Sequence, residues 1–267
     1  MARPNRLREK LAGGQTCVGP LFQEFWSPEL FEFCALAGFD FVIADGEHAG
    51  VDPQAVRNLA RAAQGVGATA LLRVPNGEPS LVLRYLDAGV EGLILPHCNS
   101  AADAEGLVRA SRYPPRGIRG AASSSRAAGY GFTQTPLEHL EQSDREVLCL
   151  GLIEEPRAVD ALPEILRVDG LDGCFVGAGD MALTLGRQYF GGATMHPEVR
   201  RLVDRAIDLT LGAGKVVMYP AATGAEARAM SQRGVQLITM NFGALARRAI
   251  TEYLGALRGD VGGHGAR

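Results

Sequence analysis

The chain has 267 residues, a net charge of −3, 46% hydrophobic and 21% charged residues, the composition of an ordinary soluble globular protein. That balance argues against a nucleic-acid partner or an anionic membrane surface, and no run approaches eighteen consecutive apolar residues. A length of this order suits one α/β barrel domain, which commonly runs to about 250 residues.

The opening "MARPNRLREKLAGG" is basic but lacks an apolar core and a small-residue cleavage site, so it reads as a lead-in and not as a signal peptide. Short apolar runs then recur in chain order: "TCVGPLF" (16–22), "DFVIA" (40–44), "TALLRV" (69–74), "EGLILP" (91–96), "VLCLGLI" (147–153), "DGCFVG" (172–177), "KVVMYP" (215–220) and "QLITMN" (236–241). Amphipathic segments separate them. "SPELFEFCALAG" carries a helix start at Ser27 and Pro28 and a glycine stop at Gly38, and "VDPQAVRNLARAAQG", "EPSLVLRYLDAG" and "TGAEARAMSQRG" repeat the design. Eight βα units with near-continuous apolar strands predict a parallel (β/α)8 barrel, with a doubly wound open sheet as the competitor. The Gly-, Ser- and Pro-rich interruption 113–146 is too long for a plain connector. We read residues 1–257 as a single domain and 258–267 as a disordered tail.

Five scattered cysteines with no CxxC spacing suggest neither a disulfide framework nor a thiolate metal site, and place the chain in the cytoplasm. Of the 27 basic residues only Lys10 and Lys215 are lysines.

A barrel gathers its chemistry where the strands end. Strand two runs into "ADGEH", bringing Asp45, Glu47 and His48; strand three carries Arg73; strand five ends in Glu154 and Glu155; strand six leads into "GAGD" and Asp180. Singly, each has a structural reading: Asp45, Asp52 or Asp180 as a helix cap, Arg73 as a rim ion pair, His48 as a strand-end histidine. Jointly, they fall on one face.

"AGFDFVIADGEH", "LDAGVEGLILPHCNSAADAEGLVRASRYPPRGIRG" and "LPEILRVDGLDGCFVGAGD" resemble, in this order and spacing, the HpcH/HpaI family of metal-dependent pyruvate aldolases. The resemblance spans nearly the whole chain. It implies a (β/α)8 barrel that reversibly cleaves 4-hydroxy-2-oxo acids to pyruvate or hydroxypyruvate plus an aldehyde. It also implies Glu154 and Asp180 as metal ligands, His48 as base, Arg73 as stabiliser of developing charge, and Asp87 as an acid tuning the base. The backbone of Gly177, Ala178 and Gly179 would hold the substrate carboxylate, leaving Asp45 and Glu47 as supports around the primary residues. A homo-oligomer, trimer or hexamer, would bring Asp87 across a subunit interface.

The residue types agree with these roles. An all-carboxylate ligand set suits Mg²⁺, Mn²⁺ or Co²⁺, and an imidazole with an ordinary pKa near 6.5 suits proton transfer at neutral pH. Lys10 lies in the lead-in and Lys215 opens strand seven, so no lysine is placed to form a Schiff base. The pattern departs from the family at Leu152, where many members have Gln, at Ala178 in place of Pro, at Leu21 in place of Trp, and at "TMNFG". Two other readings stay open: a citrate lyase-like or malyl-CoA lyase-like enzyme on the same barrel, and a non-catalytic barrel binding metal and small carboxylates.

Overall fold

The computed structural model describes residues 4–192 and 194–259. Eight strands, β1 (Cys17–Phe22), β2 (Phe41–Asp45), β3 (Thr69–Arg73), β4 (Gly92–Leu95), β5 (Leu148–Ile153), β6 (Gly173–Val176), β7 (Val216–Pro220) and β8 (Leu237–Asn241), pair in parallel in chain order. Strand β8 pairs back onto β1, Cys17 opposite Leu237 and Leu21 opposite Asn241, so the sheet closes into a barrel and the open-sheet alternative is excluded. Each apolar run seen in the sequence is one of these strands. They are apolar on both faces because each packs inward and outward.

Inward side chains, among them Phe41, Ile43, Leu71, Ile94, Leu150, Leu152, Phe175 and Met218, fill the barrel. Outward ones meet the helical ring in a second, larger cluster that includes Val42, Leu72, Leu93, Cys149 and Val176. Burying a side chain of this size contributes about 1.5–3 kcal/mol, so the barrel is a rigid support for its rim.

The ring comprises α2 (Pro28–Leu36), α3 (Pro53–Gly65), α4 (Pro79–Ala88), α5 (Ala101–Ser111), α7 (Pro156–Ile165), α8 (Ala178–Leu185), α9 (Pro197–Gly212), α10 (Gly224–Gln232) and α11 (Phe242–Arg258). Their starts follow the sequence signals. Ser27 Oγ accepts from the Leu30 N–H at 3.2 Å and Asp52 Oδ1 from the Ala55 N–H at 2.7 Å, each with proline at the first helical position. Asp52 is thus a cap, as its structural reading expected.

Among the described residues three helices exceed one per βα unit: α8 and α9 share the connection from β6 to β7, and two more lie outside the ring. Helix α1 (Arg6–Ala12) closes the N-terminal end of the barrel, with Leu7 fully buried among the interior side chains and Arg8 bonded to Asp172 at 2.8 Å. Helix α6 (Pro136–Glu146) takes the second half of the long interruption, fixed by a capping box between Thr135 and Glu138. Arg258 ends α11 and Gly259 caps it, while the rest of the expected disordered tail lies outside the described residues. Among the described residues no helix is long and apolar enough to cross a membrane.

Candidate active site at the strand C-terminal ends

Asp45 and Arg73, the last residues of β2 and β3, stand opposite each other in register. The guanidinium lies along the carboxylate, Nε to Oδ1 at 2.9 Å and Nη2 to Oδ2 at 2.5 Å, with the Asp45 side chain 0% and the Arg73 side chain 6% exposed. Burial works to raise the Asp45 carboxyl, but the Arg73 fork and the backbone N–H groups of Glu47 and His48 outweigh it and hold the acid below its ordinary range. Those two N–H bonds to Asp45 Oδ1, at 3.0 and 3.4 Å, curl the chain after β2 into a turn. The turn sends Glu47 inward and leaves the His48 imidazole about half exposed, with its Nε2 3.5 Å from Glu47 Oε2. Gly46 is required here, because a Cβ would lie 2.8 Å from the Arg73 carbonyl oxygen.

From the other side come Glu154, just beyond β5, and His97, two residues beyond β4. The His97 N–H donates to Glu154 Oε1 at 2.8 Å. The ring spans the site: Nδ1 lies 3.2 Å from Glu155 Oε1 and 3.3 Å from Glu154 Oε1, and Nε2 lies 3.4 Å from Glu47 Oε1. His97 holds a φ of 50°, uncommon for a residue with a side chain.

Asp180 occupies the first turn of α8, near enough to Glu154 to act on its titration. The N-cap of α8 is Gly177, which has no side chain to bond the first-turn amides. Its own N–H donates to Ile153 O at 2.9 Å. Of the three amides expected to bind a carboxylate, that of Gly177 is engaged by the barrel, while Ala178 and Gly179, with Asp180, supply first-turn N–H groups at the positive end of the helix.

The donor set fits a hard divalent cation. Burial pushes Glu154 up to about 7, and the negative charges of Glu47 and Asp180 add to the shift while the His97 N–H and ring oppose it. A dication would relieve that repulsion. Glu47 Oε2 is buried and makes no hydrogen bond of acceptable geometry, although Arg73 Nη1 stands 3.1 Å away. Glu47, His97 and Glu154 each present a ligand atom, all within 4.8 Å of one another.

The site thus brings together Asp45, Glu47, His48, Arg73 and Glu154, with Asp180 close by. Glu47 turns into the cluster with His97 and Glu154, and the Arg73 fork lies along Asp45 with Nη1 directed to Glu47. Asp87 does not join the group. It sits in the last turn of α4, which runs from the C-terminal end of β3 back toward the start of β4, and its carboxylate bonds Arg119 Nη2 at 2.9 Å. A 640 Å³ cavity lined by Arg61, Glu91, Arg119, Arg126 and His139 lies on this other side, against residues that precede β4 and β5. His97 was missed by sequence reasoning: a single histidine in a loop carries no periodic or spacing signal.

The sequence matches the HpcH/HpaI aldolase/citrate lyase profile over residues 20–237. A hydroxypyruvate/pyruvate aldolase of Pseudomonas aeruginosa is 32% identical over 259 residues, covering 96% of this chain and 94% of its own. A 5-keto-4-deoxy-D-glucarate aldolase of Escherichia coli is 32% identical over 251 residues, covering 94% and 95%. The crystal structure of an HpcH/HpaI aldolase/citrate lyase family protein from Burkholderia cenocepacia superposes with a TM-score of 0.87 at 32% identity, covering 95% of this chain and 99% of that one. An eight-stranded barrel with acids at the strand ends, matched nearly end to end by these relatives, belongs to the HpcH/HpaI aldolase/citrate lyase family, and the chain is accordingly an aldolase, a carbon–carbon lyase.

Proposed function

We propose that this aldolase depends on a divalent metal and reversibly cleaves 4-hydroxy-2-oxo acids to pyruvate or hydroxypyruvate and an aldehyde. The observation that carries the reading is the convergence of Glu47, Glu154 and Asp180 beside His48 and Arg73 at one end of the barrel, where Glu154 is pushed up to about 7 by burial and by the neighbouring acids. The named activities of the Pseudomonas and Escherichia coli relatives support the substrate class.

Glu154 and Asp180 hold the metal in this reading. When bound, the metal supplies Lewis-acid polarisation of the 2-oxo carbonyl. The first-turn N–H groups of α8 at Ala178 and Gly179 receive the substrate carboxylate. His48, half exposed at the mouth, moves the proton at the carbon next to the carbonyl. Arg73 places positive charge beside the acids and Asp45 fixes its orientation, so the pair acts as one positioned unit.

A Schiff-base route finds no support. Lys10 is paired with Asp40 and Lys215 donates to the Leu171 carbonyl, both at the N-terminal end of the barrel. We further place the chain in the cytoplasm, which its five buried, unpaired cysteines support, and in a homo-oligomer, trimer or hexamer, with Asp87 serving a neighbouring subunit's His48. Helix α11 supports assembly: of its 17 residues only Gly243 is buried, and Ile250, Tyr253 and Leu257 are 59%, 73% and 73% exposed.

The test is pyruvate release from a series of 4-hydroxy-2-oxo acids. Chelation should abolish it, and Mg²⁺, Mn²⁺ or Co²⁺ should restore it. Glu154→Ala should lose the metal, whereas His48→Ala should keep it and lose turnover. Full activity in the chelated protein would overturn the proposal.

A further inference from the structure

We propose that the cavity bounded by α3, the end of α4 and α6 binds a small anionic metabolite, whose phosphate or carboxylate group is received by Arg126 and Arg61. It lies toward the starts of β4 and β5, away from the aldolase site, and the proposal does not depend on the metal.

The cavity measures 640 Å³, within the roughly 300–1,000 Å³ of small-molecule sites. What sets it apart is positive charge without a counter-ion. On α3, Arg57, Arg61 and Gln64 follow one another at helical spacing and share a face. Arg126 comes to that face from the long interruption, its Nη2 donating to Gln64 Oε1 at 2.6 Å and its Nη1 to the Ala88 carbonyl at 3.3 Å. The approach is so close that a Cβ on Gly89 would lie 2.1 Å from Nη1. Among the described residues no carboxylate oxygen stands within ion-pair distance of Arg57, Arg61 or Arg126, whereas Arg119, the other arginine of the lining, is paired with Asp87 at 2.9 Å. The acids of the lining each give an oxygen to the backbone: Glu91 Oε2 accepts from the Ala70 N–H at 3.1 Å and Glu146 Oε2 from the Asn5 N–H at 3.0 Å.

A guanidinium carries five N–H donors, so these two bonds fix Arg126 in place and leave others to give. Burial pushes its pKa down; Tyr130 and Glu91 oppose that shift, and the like charges of Arg61 and Arg57 add to it. A bound anion relieves that strain on the charge, and the planar fork matches the oxygens of a phosphate or carboxylate. Tying the interruption to α4 accounts for the two bonds of Arg126. It does not account for two more unpaired arginines on the facing helix.

Isothermal titration calorimetry on protein supplied with Mg²⁺ tests the site, with inorganic phosphate as one probe and D-gluconate as the other, which separates a phosphate ligand from a carboxylate one. At least one should bind with a Kd below about 1 mM and weaken as salt rises. Arg126→Met and Arg61→Met should each weaken it at least about tenfold. Arg61 is exposed and has no bond to lose, so Arg61→Met should fold and release pyruvate as the wild type does. Glu154→Ala should bind the probe with unchanged affinity. Absence of heat from both probes at about 10 mM, or unchanged binding in Arg61→Met, overturns the proposal. So does a probe that pyruvate displaces or that Glu154→Ala no longer binds, because the anion then sits in the aldolase site.

Discussion

Replacing Asp45 by Asn isolates the electrostatic link on which the site is built. The substitution keeps the shape and an oxygen for the Glu47 and His48 N–H groups, but removes the negative charge facing Arg73, in a pair whose side chains are 0% and 6% exposed. Breaking a buried ion pair from one side costs about 3–5 kcal/mol, because the remaining charge stays desolvated. Two features reduce that figure: Asn still accepts from Arg73, and Glu47 Oε2 remains 3.1 Å from Nη1 as a second counter-charge. The expected loss is therefore about 2–3 kcal/mol, or roughly 5–10 °C in Tm for a chain of this size. Urea unfolding followed by circular dichroism reads the loss directly. Arg73→Met alone should also destabilise, and the double variant should recover part of the sum because neither charge is left unpaired. An Asp45→Asn protein within about 0.5 kcal/mol of wild type, or strictly additive effects in the double variant, would refute a coupled pair.

Two further outcomes follow from the same geometry. The Glu154 carboxyl titrates at its ordinary 4.5 when unfolded and at about 7 in the folded, metal-free chain, so between those values the folded state keeps a proton that the unfolded state has lost. Stability should accordingly fall as pH rises from about 4.5 through 7, by up to about 3 kcal/mol; melting curves of stripped wild type and Glu154→Gln from pH 5 to 8 check it, and parallel curves would contradict it. In Gly46→Ala the new methyl meets the Arg73 carbonyl oxygen at 2.8 Å and strains the Gly46 N–H bond to it at 2.7 Å. Overpacking of this kind costs about 1–3 kcal/mol, so a midpoint in urea unchanged from wild type would show that β2 and β3 are not held this tightly at their ends.

The strands were legible because a strand buried on both faces must be apolar throughout, and the helix starts because Ser27–Pro28 and Asp52–Pro53 state their own boundaries. Helix α1 escaped because only Leu7 of its seven residues is buried, too little to create a period. Helix α6 lay inside a segment with the composition of a loop, although its "TPLE" capping box was in plain sight. Acids at the strand ends could be picked out because barrel geometry says where to look, and the distance of Asp87 from that face followed from its place in a helix. The relations among them could not. That Glu47 turns inward depends on two backbone bonds to Asp45, that the Gly177 amide is taken depends on Ile153 across the sheet, and that His97 reaches three acids depends on the loop after β4 meeting the ends of β2 and β5. The first is a local turn whose direction only the barrel rim reveals, and the other two join segments far apart in the chain, invisible to any local pattern.

The central claim is that these residues activate a 2-oxo acid through a metal held by Glu154 and not through a lysine. Exchange of the pyruvate methyl protons in deuterated water, followed by proton NMR, reads that activation without needing an aldehyde. Exchange should proceed with Mg²⁺, Mn²⁺ or Co²⁺ supplied, stop on chelation, be absent in Glu154→Ala, and slow by at least about a hundredfold in His48→Ala with metal still bound. Exchange that persists in the chelated protein, or a borohydride-trapped pyruvate adduct on Lys215, would contradict it.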